Sequence, residues 1–578
     1  MKKFTTLFIL FTITICFSKF SVSQKDENHI KNTSKNSYES YNIKKGFTTS
    51  FSNSEYGSVQ GAIYYFRFAP MEISTVYDIQ SSAVPNQIWQ DPLNPMNVHA
   101  VFMYTSDPTF AFRYCAYLFS NDYGSTWTFL GDVPSSGRSG FPSISGFTSG
   151  AAVIACNSTS NVTPVRAKLF YDAGAGFSVF NELDPGDSVA GLWPRAVGIR
   201  SDKIAFVTSD YSNTTISLNP PGTFSGYEPF SGSEPEAYWI SIAPNGRLGH
   251  AFVGVSNGTD NNDVFYRYSD DEGLTWSQSF KIWDWNISTD SLGCLRGVSM
   301  VFDNNSQPHV AFNISKLTAT GFFPELPSSI RVWSPSVNGG IPVIVADQNN
   351  VPFFPNKGNT ADAFLPVCRP AIGRGSNSSR LFLAFCATTG SYGKDSSAYY
   401  GLWFAESNDN GNSWYYSVKF TPEIPLLDWR YVSLSQVNHS TNTKTYAQMI
   451  AQVDTVPGTY VNGSPFSYAE AIGIALISEV GITNISNTVP AKYSLAQNFP
   501  NPFNPETKIR FDIKENSKVT IKVYDMKGAL VSMLADNVNV TPGTKEVSFN
   551  ANGLSSGVYF YTMTSGEFSQ TKKMILVR

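Results

Sequence analysis

Four arginines recur at comparable places in this chain. Pro194-Arg195-Ala196-Val197, Leu295-Arg296-Gly297-Val298, Cys368-Arg369-Pro370-Ala371 and Trp429-Arg430-Tyr431-Val432 each set an Arg at the opening of a short apolar run, and Arg138 stands just before a similar run at Pro142. A guanidinium is a planar, permanently charged fork whose donors match anionic oxygens in pairs. Arginines converging on one face would therefore suit an anionic or sugar ligand. The same residues would serve packing if they bonded carbonyls of neighbouring strands or stacked on Trp193 and Trp429. Trp283-Asp284-Trp285 offers rings for a sugar or for packing. The chain lacks H-E-x-x-H, G-x-S-x-G and Walker patterns, so no cofactor is expected. A structural calcium stays open at Asp270-Asp271-Glu272 or at Asp260, Asn261, Asn262 and Asp263, since calcium wants six or more oxygens.

The elements that must position these groups announce themselves by a turn. Residues 120–127, 269–276 and 407–414 all read S-x-D-x-G-x-[T/S]-W, with Asp122, Gly124 and Trp127, then Asp271, Gly273 and Trp276, then Asp409, Gly411 and Trp414. Ser and Asp can bond backbone N–H groups within a tight turn. Gly admits a positive φ, and Trp turns into an apolar seam. Aromatic-rich residues precede each copy, so each reads as a β-hairpin. Strand windows open near Asn97, Pro142, Arg195, Trp239, Arg296, Arg369 and Arg430, with second strands such as 151–155, 204–207, 309–312 and 381–385. The fold class expected is all-β, a six- or seven-bladed β-propeller followed by a small Ig-like β-sandwich. A pair of sandwiches is the other arrangement that uses short strands of this kind. The three turns closely resemble the Asp-box repeat of sialidase-like β-propellers, which implies a propeller over 53–480. The strand near Gly61 would complete its last blade, and residues 171–177, around Asp172, would be a degraded copy of the turn.

Sialidases resemble this chain in the Arg placement as well. The resemblance implies that Arg195, Arg296 and Arg369 or Arg430 clamp a sugar carboxylate. It implies Tyr238 as nucleophile, Glu234 or Glu236 as its base, and Asp91 as the acid. Phe66-Arg67-Phe68-Ala69-Pro70 is similar to the family's F/Y-R-I-P motif, with one extra residue and no Ile. Because none of these residues sits in a matching catalytic motif, the function expected is recognition of a glycan or another surface ligand by the Arg- and aromatic-bearing face. A sialidase-like hydrolase and a structural surface protein are the two alternatives.

The ends bound the compartment. Lys2 and Lys3, the apolar run 4–17 and Ser21-Val22-Ser23 form an export signal over 1–23, and 24–52 reads as a polar leader. No later run is long enough for a transmembrane helix. A net charge of −4 on 578 residues gives no electrostatic case for nucleic acid. Five cysteines follow the signal: Cys115, Cys156, Cys294, Cys368 and Cys386. Cys368 and Cys386 fall on neighbouring strands and could pair, or all five could fill apolar cores.

After a linker at 481–490 the composition shifts. Residues 491–578 carry alternating strands and Gly-bearing turns, as a small sandwich would. Tyr493-Ser494-Leu495-Ala496-Gln497-Asn498-Phe499-Pro500-Asn501-Pro502, Val523-Tyr524-Asp525-Met526-Lys527-Gly528, Leu554-Ser555-Ser556-Gly557-Val558-Tyr559 and Lys572-Lys573-Met574-Ile575-Leu576-Val577 resemble the type A C-terminal sorting domain of the type IX secretion system. That resemblance implies the type IX machinery as partner. It also implies that the mature chain is secreted or attached to the outer surface of a bacterial outer membrane.

Overall fold

The computed structural model describes residues 55–577, apart from 60–61, 77, 81–82, 85, 110, 160–164, 184–190, 201–202, 210–211, 219–220, 230–235, 255–261, 287, 319–320, 356–364, 415–416, 423–425, 441–443, 460–466, 481 and 552–553. The expected signal and leader, Glu234, Asp260 and Asn261 lie outside the described residues. All the regular structure described is β apart from one short 3-10 turn, Asn338–Gly340.

Between Ile88 and Val480 the chain folds and refolds into small antiparallel sheets. Sheet I contains Ile88–Gln90, Val98–Tyr104, Tyr114–Ser120 and Thr128–Asp132 in sequence order. Sheet II follows with Ser139–Gly146, Ala152–Ser158, Arg166–Asp172 and Phe180–Leu183, and sheet III with Arg195–Arg200, Lys203–Thr208, Ser212–Leu218 and Pro221–Pro229. Sheet IV is Tyr238–Ile242, Leu248–Val253, Val264–Ser269 and Phe280–Trp283. Sheet V starts at Val298–Phe302 and continues through Pro308–Thr318, Gly321–Trp333 and Val343–Ala346. Sheet VI is Val367–Gly375, Leu381–Tyr392, Ala398–Ser407 and Val418–Lys419. Sheet VII takes Asp428–Leu434, Lys444–Asp454 and Ala469–Val480, and its next strand is Ala62–Thr75 from the other end of the chain. That strand pairs along most of its length with Ala469–Val480, so the first described strands complete the last of these sheets. The first strand of each sheet touches the first strand of the next, from sheet I through sheet VII and back to sheet I.

The window near Asn97 opens the second strand of its sheet rather than the first. The true first strand, Ile88–Gln90, is only three residues long, too short to show a period.

Apolar clusters lie between consecutive sheets, which explains why the strands are apolar on both faces. Trp89, Val101 and Tyr117 of sheet I meet Ile144, Ile154 and Phe170 of sheet II. Val153 and Leu169 of sheet II meet Ile204 and Phe206 of sheet III, and sheets V and VI share Ile330, Val332, Leu383 and Phe385. Full burial of each such side chain contributes roughly 1.5–3 kcal/mol. The five cysteines are buried and form no disulfide among the described residues. Cys368 and Cys386 do face each other across the antiparallel pair, but as apolar filling rather than as a disulfide.

The three turns have one geometry. Ser120 Oγ donates to Asp122 Oδ1 at 2.7 Å and accepts from Gly124 N at 2.9 Å, while Thr126 N and Oγ1 donate to the two Asp122 oxygens at 2.9 and 2.7 Å. The other two turns repeat those bonds, Ser269 and Asp271 with Gly273 and Thr275, and Ser407 and Asp409 with Gly411 and Ser413. Gly124, Gly273 and Gly411 have φ of 74°, 88° and 83°. Partial burial disfavours the Asp122 and Asp271 carboxylates, but the turn's N–H and hydroxyl donors outweigh it and hold both below the usual range. Each turn docks on the sheet before it. Tyr123 O accepts from Gln448 Nε2 (3.0 Å) and Arg67 Nη2 (2.5 Å) of sheet VII, and Glu272 pairs with Lys203 of sheet III at 2.5 Å. Trp276 packs against the cluster of sheets III and IV, and Trp414 against that of sheets V and VI. At the turn expected to be a degraded copy, Asp172 accepts from Ser178 N and Val179 N at 3.0 Å.

The C-terminal part has two four-stranded sheets around one core of its own, including Phe511, Ile521, Val547, Tyr561 and Met574. Ile482–Ser486 lies inside the segment expected as a linker, yet it pairs with Gly543–Asn550, and Ile482 packs on that core. Its two isoleucines stand three residues apart, so they fall on opposite faces of the strand with Ile485 exposed, and no period-2 alternation marked it.

Candidate functional site

The openings of the first strands share a backbone feature that the Arg pattern only partly follows. Phe141, Trp193, Glu236, Arg296, Arg369 and Tyr431 all have positive φ, at 55°, 53°, 69°, 56°, 56° and 57°. They occur once per sheet from II to VII. In sheets II, VI and VII the residue sits at a register shift of the strand, and in III, IV and V it lies two residues before the strand begins. Such a conformation is uncommon for residues with a Cβ and costs on the order of 1–3 kcal/mol, so the surrounding structure must enforce it. A bulge of this kind re-aims a side chain.

The four arginines fall into three positions relative to this residue. Arg296 and Arg369 are the left-handed residues themselves, Arg195 comes two after Trp193, and Arg430 comes one before Tyr431. Three of them bond backbone carbonyls. Arg195 is buried and reaches Pro194 O at 3.2 Å and Glu236 O at 3.5 Å, with the Tyr238 ring 5.8 Å away. Arg369 donates to Ala83 O at 2.5 Å and lies 4.5 Å over Tyr431. Arg430 pairs with Asp428 at 2.5 Å, donates to Ala398 O at 2.9 Å and covers the Tyr400 ring. Burial raises the Asp428 pKa to about 6 despite the Arg430 charge and the N–H groups of Tyr400 and Gly458. Arg296 is half-buried.

The residues expected to catalyse are not gathered. Tyr238 is buried, and its hydroxyl donates to Trp193 O at 2.8 Å. Glu236 lies two residues away, its carbonyl bonded by Arg195. Asp91 follows the last residue of the first strand of sheet I, whereas Tyr238 opens that of sheet IV. Asp91 bonds Leu93 N at 2.9 Å and is packed against Gly150 of the sheet II turn. Arg67 lies on the strand completing sheet VII, where it secures Tyr123 O. Asp270 pairs with Arg247 and Glu272 with Arg200 and Lys203, so the acidic triplet diverges. Among the described residues no group of three acids, His or Cys gathers as a metal would need. Trp283 sits under Arg331 with its indole N–H on Leu292 O at 2.8 Å, a packing arrangement between sheets IV and V.

What the strand openings do assemble is aromatic and cationic. Phe141 and Trp193 meet edge to face at 6.3 Å, Arg113 lies 4.5 Å over Phe141, and both rings are half-buried. The dipeptides Phe141-Pro142, Trp193-Pro194 and Arg369-Pro370 were the available sequence signal for this ring, and only their arginine stood out.

Similar solved structures include YCF48 from Cyanidioschyzon merolae, with 10% identity, a TM-score of 0.39, and 71% of this chain and 98% of that one covered. A protein of unknown function from Dyadobacter fermentans has 13% identity and a TM-score of 0.34, covering 71% and 98%. An α-L-arabinanase of Penicillium chrysogenum complexed with arabinobiose has 12% identity and a TM-score of 0.34, covering 72% and 98%. At such scores these likenesses carry no argument. No curated protein sequence matches the chain. No helix among the described residues is long and apolar enough to cross a membrane. Residues 497–577 match the Secretion system C-terminal sorting domain, so this is a protein exported by the type IX route to the outside of the cell or its outer surface.

Proposed function

We propose that residues 53–480 form a seven-bladed propeller with Asp-box turns, one blade per sheet, followed by an Ig-like sorting sandwich. The propeller recognises a glycan or another surface ligand without catalysing its breakdown. Support for seven blades comes from the cyclic contact of the first strands and from the strand Ala62–Thr75 completing sheet VII. One observation carries the recognition reading. Six left-handed residues bring Phe141, Trp193, Glu236, Arg296, Arg369 and Tyr431 to the same end of successive first strands. Half-exposed rings flanked by guanidiniums suit the apolar faces and polar rims of sugars.

The sialidase alternative is weakened by the same geometry. Arg195, Arg369 and Arg430 are bonded to carbonyls, and the Tyr238 hydroxyl points at backbone. A glycan array probed with the full chain tests the reading. Binding reduced at least about tenfold by Trp193→Ala, in a protein that melts normally, is expected from loss of a stacking ring. Turnover of a fluorogenic sialoside that disappears in Tyr238→Phe would instead make the protein a hydrolase.

A further inference from the structure

The opposite ends of the first strands line a cavity of about 300 Å³ to which none of the six left-handed residues belongs. Its wall comes from sheets I to IV: Trp89, Phe147, Val197, Ile199 and Ile242. Gly146 permits this packing, because a Cβ there would lie 2.1 Å from the Trp89 ring. Gln436 crosses the space, with its Oε1 accepting from Ser241 Oγ at 2.7 Å, and so closes one side of the cavity.

Arg374 is the single charged residue lining this cavity. Its backbone is fixed, the N–H donating to Gln436 O at 2.9 Å and the carbonyl accepting from Asn438 Nδ2 at 3.4 Å. In the side chain, Nη1 bonds Asn304 Oδ1 and Gly375 O. Among the described residues Nε and Nη2 carry no protein hydrogen bond, and no carboxylate pairs with this guanidinium. The acid whose charge acts on it is Asp303, whose carboxylate is bonded by Gln307 N and Asn305 N and faces His309. Partial burial pulls the Arg374 pKa down, against the pull of Asp303. The Nε–Nη2 edge is the side of a guanidinium that receives both oxygens of a carboxylate.

We propose that this cavity binds a small carboxylate with an apolar body, its carboxylate on the Nε–Nη2 edge of Arg374 and its body between Trp89, Phe147 and Ile242. A largely apolar wall with a few polar groups is the usual build of a small-molecule site, and this volume lies at the lower end of that range. The low-dielectric wall strengthens a charge-assisted pair. The site is independent of the ring at the other end of the strands.

Isothermal titration of the full chain with phenylacetate, and with the neutral phenylacetamide, tests this. The expected result is saturable phenylacetate binding that weakens at least about tenfold in Arg374→Gln and by a similar factor for the amide, as loss of a charged hydrogen-bonded pair implies. Ile242→Trp, which fills the cavity without touching the guanidinium, is expected to abolish binding. Absence of saturable binding, or a loss below tenfold in Arg374→Gln with an unchanged melting curve, overturns the proposal. If Arg374→Gln fails to fold, the amide comparison and Ile242→Trp decide it alone.

Discussion

Ser241 and Gln436 join sheets IV and VII, three steps apart in the circuit of first strands, through a hydroxyl-to-amide hydrogen bond of 2.7 Å. The Gln436 amide N–H also reaches Ile240 O at 3.4 Å. This side chain ties together two sheets that are not neighbours in the circuit. Gln436→Ala is expected to lower stability by about 1–2 kcal/mol, the range for a hydrogen bond lost from a part-buried pair. Urea unfolding followed by tryptophan fluorescence measures it. An unchanged midpoint would mean that water replaces the bridge at no cost.

Much of the architecture was legible from residues 120–127, 269–276 and 407–414, because their bonds are local: the Ser, Asp, Gly and Thr that recur in sequence are the ones that touch. The Arg array was legible only as a list of residue types. A shift of one or two residues about the left-handed position separates Arg195, Arg369 and Arg430, and adjacent residues of a strand face opposite ways. The cavity was not legible, since Trp89, Ile242, Arg374 and Gln436 are brought together only by the closing of the circuit.

The S-x-D-x-G-x-[T/S]-W turns are expected to stabilise by joining sheets. Asp271→Ala removes acceptors for Ser269, Thr275 N and Thr275 Oγ1 and is expected to cost about 1–3 kcal/mol. Trp276→Ala also empties part of the cluster between sheets III and IV and is expected to cost about 3–5 kcal/mol. Equal losses in the two variants would show that the turn acts without its tryptophan. Guanidinium unfolding of both proteins separates these outcomes.

Two buried groups tilt the pH dependence in opposite directions. Burial lowers the His99 pKa to about 3, so the folded protein resists a proton that the unfolded chain accepts below about 6.5. The stability from neutral His99 is present above that value and is lost as pH falls from about 6.5 towards 3. Asp428, raised to about 6, behaves oppositely: its contribution is full below the ordinary carboxylate range and fades as pH rises through 6. His99→Phe is expected to remove about one proton from the slope of stability against pH near pH 5, and Asp428→Asn to shift that slope the other way. Urea midpoints at half-unit pH steps measure both, and parallel curves for wild type and His99→Phe would contradict the assignment.

The Asp428–Arg430 pair is buried on both sides, at 1% exposure each, so a single deletion strands a charge. Asp428→Ala is expected to destabilise by about 3–5 kcal/mol, while the double change Asp428→Ala with Arg430→Met recovers most of the loss. A double-mutant cycle by chemical unfolding gives the coupling. No recovery in the double variant would mean that Ala398 O and the Tyr400 ring, rather than Asp428, hold Arg430.

In the sorting tail one tyrosine links the two sheets. The Tyr561 hydroxyl donates to Ala496 O and accepts from Asn498 N, both at 2.8 Å. Asn498 in turn donates to Thr507 Oγ1 at 2.9 Å, and Asn501 Oδ1 receives Ile575 N at 2.9 Å. The stretch Asn498-Phe499-Pro500-Asn501 is thus anchored to both the Tyr561 strand and the chain's last strand. Tyr561→Ala would leave a buried N–H and a part-buried carbonyl without their partner and open a cavity, at a cost of about 3–5 kcal/mol in a domain of this size. The expected outcome in the producing cell is retention of the Tyr561→Ala protein inside the envelope, with Met526→Ala, at an exposed position, exported normally. Immunoblots of medium, cell surface and periplasm read the distribution. Export of Tyr561→Ala at the normal level would show that the machinery reads a linear signal rather than this folded junction.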